Sequence, residues 1–474
     1  MSTVDATVGG LEQRATARVV LISAAAALGG FLFGFDTAVI NGAVDAIRGA
    51  FALDAAQTGF AVSCALLGSA LGAWYAGMLA NRWGRVRTMQ VAAVLLVASA
   101  LGSGLAYSVW SLIAWRLIGG VGVGVASVIA PTYIAEVSPA YIRGRLGSMQ
   151  QLAIVLGIFA ALLSDAWLAG AAGGASLPSW LGLAAWRWMF LAAVLPALIY
   201  GTLVMGVPES PRYLVAKGRL AEARVVLQSV LNMHSEAALD SKLHDIEDSL
   251  RSEHQPRLSD LRGKAAGLLP VVWIGILLSV FQQFVGINVI FYYSSTLWHS
   301  VGFSEADSFT ITVVTSIVNV LVTLVAIALV DRIGRKPLLV IGSAGMAITL
   351  GLMAWCFSQA TGSGATLSLS GVTGIVALVA ANAYVVFFGV SWGPVVWVLL
   401  GEMFPNRIRA TALAVAAAAQ WLANFAITSS FPALAEIGLT FAYGLYAGFA
   451  LLSLLFVLYA VRETKGVELE DMRA

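Results

Sequence analysis

Polar side chains of two kinds lie within apolar stretches of this 474-residue chain. The first kind is a set of amides with aromatic residues nearby. An amide both donates and accepts hydrogen bonds, so amides around a cavity could bind a ligand that carries hydroxyl groups. Any one of them alone could instead bond to a neighbouring helix. The amides are Gln151, Gln282, Gln283, Asn288, Asn319, Gln420 and Asn424, and the aromatic residues are Tyr292, Tyr293 and Trp397.

The second kind is a charged pair. In GGFLFGFDTAVING, residues 29–42, Asp36 is the only charged residue between Arg18 and Asp45. At about 1.5 Å per residue it lies roughly 27 Å along its helix, at a depth similar to that of Arg116 on another helix. We expect the two to pair. A carboxylate whose access to water and to Arg alternates can load a proton on one side and release it on the other; the alternative is a static ion pair.

Composition predicts the elements that hold these residues. The chain is 59% hydrophobic and 11% charged, with roughly half the charged fraction of a soluble protein. Apolar runs of about 20 residues, long enough to cross a bilayer as helices, recur along it. They lie near 18–42, 59–80, 88–108, 111–135, 148–170, 186–206, 268–295, 306–330, 338–358, 372–400, 408–430 and 439–461. We therefore predict an all-α membrane protein with twelve transmembrane helices.

The predicted span that holds Gln282, Gln283 and Asn288 cannot be a straight helix with these amides on one face. Successive side chains of a helix are about 100° apart, and these three positions diverge around the axis. Gly286 lies between them, so we predict a local break there that turns the following residues toward the cavity.

Positive charge predicts the topology. Lys and Arg cluster in alternate connections, as at residues 82–87 and 332–336, whereas AYSVWS at 106–111 contains none. By the positive-inside rule, both termini are predicted to be cytoplasmic, in a plasma membrane.

A charged segment, residues 207–267, divides the spans into two sets of six. Motifs recur between the sets: NRWGRVRT at 81–88 with DRIGRKPL at 331–338, and AEVSPAYIRGRLG at 135–147 with GEMFPNRIRATAL at 401–413. Such duplication is typical of transporters built from two helical bundles. We predict a six-helix bundle at 1–206, a cytoplasmic linker with short amphipathic helices at 207–267, and a second bundle with a short tail at 268–474.

The repeated motifs place charged groups at the cytoplasmic ends of helices. Arg and Glu there could pair between neighbouring helices of one half and help to close the inner side. The alternative is that the arginines only set the topology. The candidate cytoplasmic gate comprises Arg82, Arg85, Glu136, Arg143, Arg332, Arg335, Glu402 and Arg409.

The sequence predicts no catalytic centre, metal, cofactor or nucleic-acid partner. Its four histidines fall in predicted loops or at span ends, without metal-ligand spacing. The glycine-rich segment GGVGVGVAS at 119–127 lies within a predicted span and follows no strand, so close helix packing explains it better than a nucleotide loop.

Further motifs occur together and in order: GRLGSMQQL, PESPRYL at 208–214, FQQFVGINVIFYY at 281–293, SWGPVVWVLLGEMFP at 391–405 and ETKG at 463–466. In these motifs the chain resembles the sugar porter family of the major facilitator superfamily, especially its bacterial proton-coupled glucose and xylose transporters. The resemblance runs from about residue 18 to 471 and implies the major facilitator fold. The implied sugar contacts are Gln151, Gln282, Gln283, Asn288, Asn319, Trp397 and Gln420.

The same resemblance implies that Asp36 and Arg116 couple proton movement to transport. The chain departs from the family pattern at two positions. Arg462 stands where many members have Pro, and Ala193 stands where some bacterial symporters have Glu.

We therefore expect a monosaccharide:proton symporter that imports a hexose by alternating access, first of all D-glucose, with xylose or galactose next. Its predicted partners are the sugar, the proton and the lipid bilayer, and it is expected to work as a monomer. One alternative is a proton-independent facilitator. A membrane sugar sensor is a weaker alternative, because such receptors carry a long cytoplasmic tail.

Overall fold

The structure, a computed structural model, describes the backbone of residues 3–139, 143–231, 235–252, 258–263, 267–361, 368–369, 371–405 and 408–464. The helices of the N-terminal half are α1 (Thr3–Ala38), α2 (Ile40–Phe51), α3 (Ala55–Trp83), α4 (Arg85–Gly104), α5 (Val109–Val137), α6 (Arg143–Ala172), α7 (Ala185–Ala192) and α8 (Val194–Met205). A 3-10 turn, Trp180–Gly182, precedes α7.

The middle segment contains three short helices, α9 (Pro211–Ala216), α10 (Leu220–Leu231) and α11 (Glu236–Ser252), then a 3-10 turn at Leu258–Leu261. Two short strands, β1 (Arg262–Gly263) and β2 (Gly267–Leu268), pair antiparallel. The C-terminal half contains α12 (Pro270–Phe284), α13 (Ile287–Ser300), α14 (Glu305–Ile333), α15 (Arg335–Ser358), α16 (Gly371–Val390), α17 (Trp392–Met403), α18 (Arg409–Ile437) and α19 (Leu439–Ala460).

Twelve helical segments of the described chain are long and apolar enough to cross a membrane, which confirms the predicted number. Four of these spans consist of two helices each, namely α1 with α2, α7 with α8, α12 with α13, and α16 with α17. The first and seventh spans run to Phe51 and Ser300, beyond their predicted ends. They are longer because their polar last turns project past the apolar run on which the prediction depended.

Glycine allows α3 and α5 to pack with their backbones in contact. A Cβ added at Gly120 would lie 2.0 Å from the carbonyl oxygen of Ala65, and one at Gly124 would lie 2.1 Å from that of Ser69. No other residue fits at this distance. The glycine-rich segment of α5 therefore serves helix packing, as predicted.

The two halves meet at the end of the spans opposite α9–α11, which we call the outer side. Asn41 of α2 donates to the carbonyl oxygen of Phe291 at 2.9 Å, and Ser295 Oγ donates to the Asn41 side chain at 2.7 Å. Glu305 of α14 accepts the backbone N–H of Ala175 at 2.8 Å. We call these five residues the outer gate, and it is closed in this structure.

The seventh span breaks at Gly286, as predicted. This glycine separates α12 from α13 with φ of 87°. A Cβ there would lie 2.8 Å from the ring of Tyr446 on α19. Both the backbone conformation and the space thus require glycine.

Gly286→Ala is expected to lower the free energy of unfolding by about 1–3 kcal/mol, because alanine would strain the left-handed backbone and press on Tyr446. The thermal unfolding midpoint of the purified carrier in detergent measures this loss. Gly444→Ala in α19 is the control, since an added Cβ there meets nothing within 4 Å. Equal midpoints for the two variants would contradict the assigned role of Gly286.

Candidate functional site

Asp36 on α1 and Arg116 on α5 lie together within the N-terminal half. Arg116 Nη1 is 3.5 Å from Asp36 Oδ2. The side chain of Arg116 is 2% exposed and that of Asp36 is 13% exposed. The short hydrogen bond of this guanidinium, at 3.0 Å, goes instead to the backbone carbonyl oxygen of Asp36. Among the described residues, Asp36 Oδ2 has no hydrogen-bond partner. The carboxylate is therefore held by charge, without a tight hydrogen bond.

The break at Gly286 brings the three amides of the seventh span into one chain of hydrogen bonds. Asn288 donates to Gln283 Oε1, and Gln283 Nε2 is 3.3 Å from Gln282 Oε1. Gln282 Nε2 then donates to the carbonyl oxygen of Trp392 at 2.8 Å. Gln282 and Gln283 are buried and Asn288 is half-buried. The chain fixes the orientation of each amide and leaves Asn288 at its accessible end.

The remaining predicted amides lie on three other spans. Gln151 on α6 is half-buried, and Asn319 on α14 is buried. On α18, Gln420 and Asn424 stand one turn apart, and Asn424 accepts a hydrogen bond from Thr428 at 3.0 Å. Gln420 Oε1 is buried and has no partner among the described residues. Such an orphaned acceptor points to a missing donor, which a bound hydroxyl group could supply.

The aromatic candidates separate into two kinds. The Tyr292 hydroxyl contacts the side chains of Asn424 and Thr37. Tyr293 instead packs in the C-terminal half, where its hydroxyl donates to the Thr428 carbonyl oxygen at 3.0 Å and its ring lies 5.0 Å from Phe431. Tyr292 and Tyr293 differ in this way because adjacent helical residues point about 100° apart, and the role of Tyr293 as a ligand contact stays a prediction.

Two tryptophans of α17 also differ. Trp392 is fully buried, with Nε1 donating to Ser343 Oγ at 2.9 Å. Trp397 is 43% exposed, so its ring can meet a ligand. Trp421 was not among the predicted contacts, yet its ring lies 5.5 Å from that of Phe33 across the two halves. Its position directly after the predicted contact Gln420 is the sequence feature that could have indicated it.

At the inner end of the N-terminal half, Arg85 binds Glu136 with two hydrogen bonds, of 2.9 and 2.7 Å. Glu209 completes the arrangement by accepting the backbone N–H groups of Arg85 and Val86, at 2.9 and 3.3 Å. Those N–H groups begin α4, where a carboxylate is stabilised by the helix dipole. Glu209 belongs to PESPRYL, a motif to which the sequence analysis gave no role.

The C-terminal half repeats this arrangement. Arg335 binds Glu402 with hydrogen bonds of 3.1 and 2.7 Å. Glu463 of the ETKG motif accepts the backbone N–H groups of Arg335 and Lys336, both at 3.0 Å. The matching positions of the two motifs, each downstream of an apolar run, could have revealed the shared role of Glu209 and Glu463.

The other four gate candidates are Arg82, Arg143, Arg332 and Arg409. Arg82 is exposed, and among the described residues its side chain forms no ion pair, since Arg85, three residues later, faces Glu136. Its assignment to the gate stays a prediction. Arg332 is also exposed. The side chains of Arg143 and Arg409 lie outside the described residues.

The two six-span halves, the broken spans and the buried polar set define a multi-pass membrane transporter. The model of the sugar (and other) transporter family matches residues 22–474. The chain belongs to this family, the sugar porters of the major facilitator superfamily, whose members are transporters and not enzymes.

Individual relatives match over nearly the whole chain. The glucose transport protein of Synechocystis sp. is 58% identical over 96% of this chain and 97% of its own. The D-xylose-proton symporter of Escherichia coli K12 is 36% identical over 96% and 94%. Among solved structures, the xylose transporter XylE from E. coli, in a partially occluded inward open conformation, has a TM-score of 0.82 at 36% identity, over 95% of this chain and 100% of that one.

Glu209→Gln is expected to lower the free energy of unfolding by about 1–2 kcal/mol, because the start of α4 loses a charged acceptor. Thermal unfolding in detergent measures this effect. Glu222→Gln serves as control, since Glu222 is exposed and within the described part of the chain pairs only with Arg219, at 2.6 Å; no measurable change is expected there. If both variants were as stable as the parent, Glu209 would not support α4.

Proposed function

We propose that this transporter is a monosaccharide:proton symporter that imports a hexose by alternating access, with D-glucose as the first substrate. The observation that carries the proposal is the loosely held, buried pair of Asp36 and Arg116. The names of the two relatives, a glucose transport protein and a D-xylose-proton symporter, agree with it.

The two kinds of ion pair in this chain explain why Asp36 suits proton transfer. Glu136 receives two short hydrogen bonds from Arg85, so its charge is held and protonation would cost both bonds. Asp36 is 3.5 Å from Arg116 and receives no such bond. Protonating Asp36 therefore costs little hydrogen bonding, whereas its ionised form keeps an attracting charge nearby. A carboxyl in this balance can bind and release a proton as its surroundings change.

The amides provide the sugar site of the proposal. Sugar hydroxyls both donate and accept, and the candidate contacts Gln283 and Asn288 present matching groups from α12 and α13. The orphaned Gln420 Oε1 on α18 adds an acceptor in need of a donor. Exposed Trp397 offers a flat surface for the apolar C–H face of a ring. Gln151, Gln282, Asn319, Tyr292 and Asn424 complete the proposed site.

The inner clusters around Arg85 and Arg335 are proposed to brace the helices that move at the inner gate. Both clusters are formed in this structure, in which the outer gate is closed, so each holds helices of its own half together. We further propose that residues 1–206 and 268–474 rock as two bundles about the central site, and that 207–267 link them. Both termini are proposed to be cytoplasmic, in the plasma membrane, with the monomer as the working unit.

One observation favours a proton-independent facilitator as the second candidate. Ala193, where some bacterial symporters carry Glu, lies buried at the junction of α7 and α8. A facilitator would use the same sugar contacts without responding to a proton gradient.

Gln283→Ala is expected to weaken sugar binding by about 1–3 kcal/mol, because it removes the centre of the amide chain and leaves its neighbours unpaired. Trp397→Ala should weaken binding similarly through lost contact with the ring of the sugar. Isothermal titration of the detergent-purified carrier measures both.

The controls for this binding experiment are Gln359→Ala and Trp355→Ala. Both residues are exposed and lie at or near the C-terminal end of α15, outside the proposed sugar site. Native affinity in both site variants would place the sugar site elsewhere.

Asp36→Asn keeps size and polarity but removes the ionisable group. Exchange of labelled for unlabelled sugar should persist, since it needs only the loaded carrier to change conformation. Accumulation of sugar driven by a pH gradient should be lost, because the conformational change no longer requires a proton. Uptake into liposomes under an imposed gradient measures the difference from the parent. A parent that ignores the gradient would be a facilitator, and a variant that still concentrates sugar would make Asp36 a structural acid.

A further inference from the structure

A second acid of the N-terminal half has no role in the proposed transport cycle. Asp165 on α6 is fully buried, with 0% of its surface exposed. Its Oδ2 accepts the backbone N–H of Gly42 at 3.3 Å, whereas Oδ1 has no hydrogen-bond partner among the described residues. Unlike Asp36, it forms no ion pair with an arginine among the described residues.

The charged groups in the outer half of the helices packed against α6 all face other partners. They are Asp36 on α1, Asp45 and Arg48 on α2, Arg116 on α5, Arg187 on α7, and Glu305 and Asp307 on α14. Arg48 faces Glu436 and Arg116 pairs with Asp36. Arg187 donates to backbone carbonyl oxygens.

The acids on α2 and α14 are likewise engaged. Asp45 Oδ2 is 3.8 Å from His299 Nδ1, Glu305 accepts the N–H of Ala175, and Asp307 accepts from Ser304. Asp165 is thus left, within the described residues, with a single backbone donor.

The site of Asp165 is built by the helix that forms the outer gate. A Cβ at Gly42 would lie 2.7 Å from Asp165 Cβ and 2.8 Å from its Oδ2, so α2 rests directly on this side chain. The preceding residue, Asn41, makes the gate contacts with Phe291 and Ser295 on α13. Two successive residues of α2 therefore connect Asp165 to the contact between the halves.

The buried position suits only a neutral acid. An ionised carboxylate that has left water needs a cation or several donors, and one N–H at 3.3 Å does not replace them. Opening of the outer gate would change this. Gly42, the donor to Asp165, also lines a cavity of about 140 Å³ between the halves, together with Ala46 and Ser295. Separation of α2 from α13 would widen this cavity and bring outer water to the carboxylate, which can then ionise.

We propose that Asp165 is a proton-binding site of the outer gate, which closes only over the protonated carboxyl. The inference rests on the alternating access of the proposed function. With the gate closed, Asp165 has no exposed surface, so it keeps its proton and returns it to the outer side. It therefore sets how external pH controls the gate, and it adds nothing to the number of protons that Asp36 moves across the membrane.

The Ala46→Cys variant reports the state of the gate, because Ala46 is 3% exposed and lines the cavity. The rate of its reaction with a membrane-impermeant maleimide is measured in proteoliposomes at a series of pH values, equal on both sides. Tyr107→Cys, at a position that is 86% exposed between α4 and α5, corrects for the pH dependence of thiol reactivity. The native Cys64 and Cys356 are buried.

The corrected rate is expected to rise with pH in the carrier that retains Asp165, by up to about tenfold per pH unit, as release of one proton requires. Asp165→Asn should make it independent of pH. Asp165→Ser, a smaller neutral residue, should do the same and replaces the first variant if that one fails to fold. The difference should persist when Asp36→Asn is also present, which separates the gate proton from the coupled one.

A rate that does not rise with pH while Asp165 is present would overturn the proposal. Retention of the native pH profile in Asp165→Asn or Asp165→Ser would do so too. Failure of the proposed symport would show separately, as sugar uptake that ignores an imposed pH gradient, because the labelling needs neither sugar nor proton transport.

Discussion

A carboxylate inside a membrane protein is stable only if a cation, a set of donors or a proton neutralises it, and this requirement organises the acids of the carrier. Glu136 is fixed by two short hydrogen bonds from Arg85. Asp36 has Arg116 at 3.5 Å without a hydrogen bond. Asp165 has only one backbone N–H. The support from the surroundings thus decreases from Glu136 to Asp36 to Asp165, in the same order as their proposed states: a permanent charge, an exchangeable proton and a neutral acid.

The duplication of the chain is most evident where backbone donors need a partner. Both halves begin a helix directly after a glycine, Gly84 or Gly334, with φ of 96° or 106°. The N–H groups that follow would be unpaired at this helix start. Glu209 and Glu463 accept them from separate segments that follow the sixth and twelfth spans. Each half thus ties its last segment to its third span, which agrees with the proposal that each half moves as one body.

Sequence alone could predict the spans, the duplication and the break at Gly286, because each depends on local composition or on one residue type. It could not choose between Arg82 and Arg85, since that choice depends on which face of the helix end meets Glu136. The same limit applies to Tyr292 and Tyr293. Asp165 went unnoticed because its significance comes from Gly42, more than a hundred positions away, and from cations that are engaged elsewhere.

The two proposed sites are physically joined by α13. Asn288, at the accessible end of the amide chain, and Tyr292 stand four residues apart on the same face of this helix. The Tyr292 hydroxyl contacts Thr37, the residue next to Asp36, as well as Asn424 on α18. A sugar bound at the proposed site on α13 and α18 would therefore act on a side chain that touches the turn of α1 next to Asp36. The proposed coupling then needs no long relay, because a single tyrosine bridges the halves between the amides and the acid.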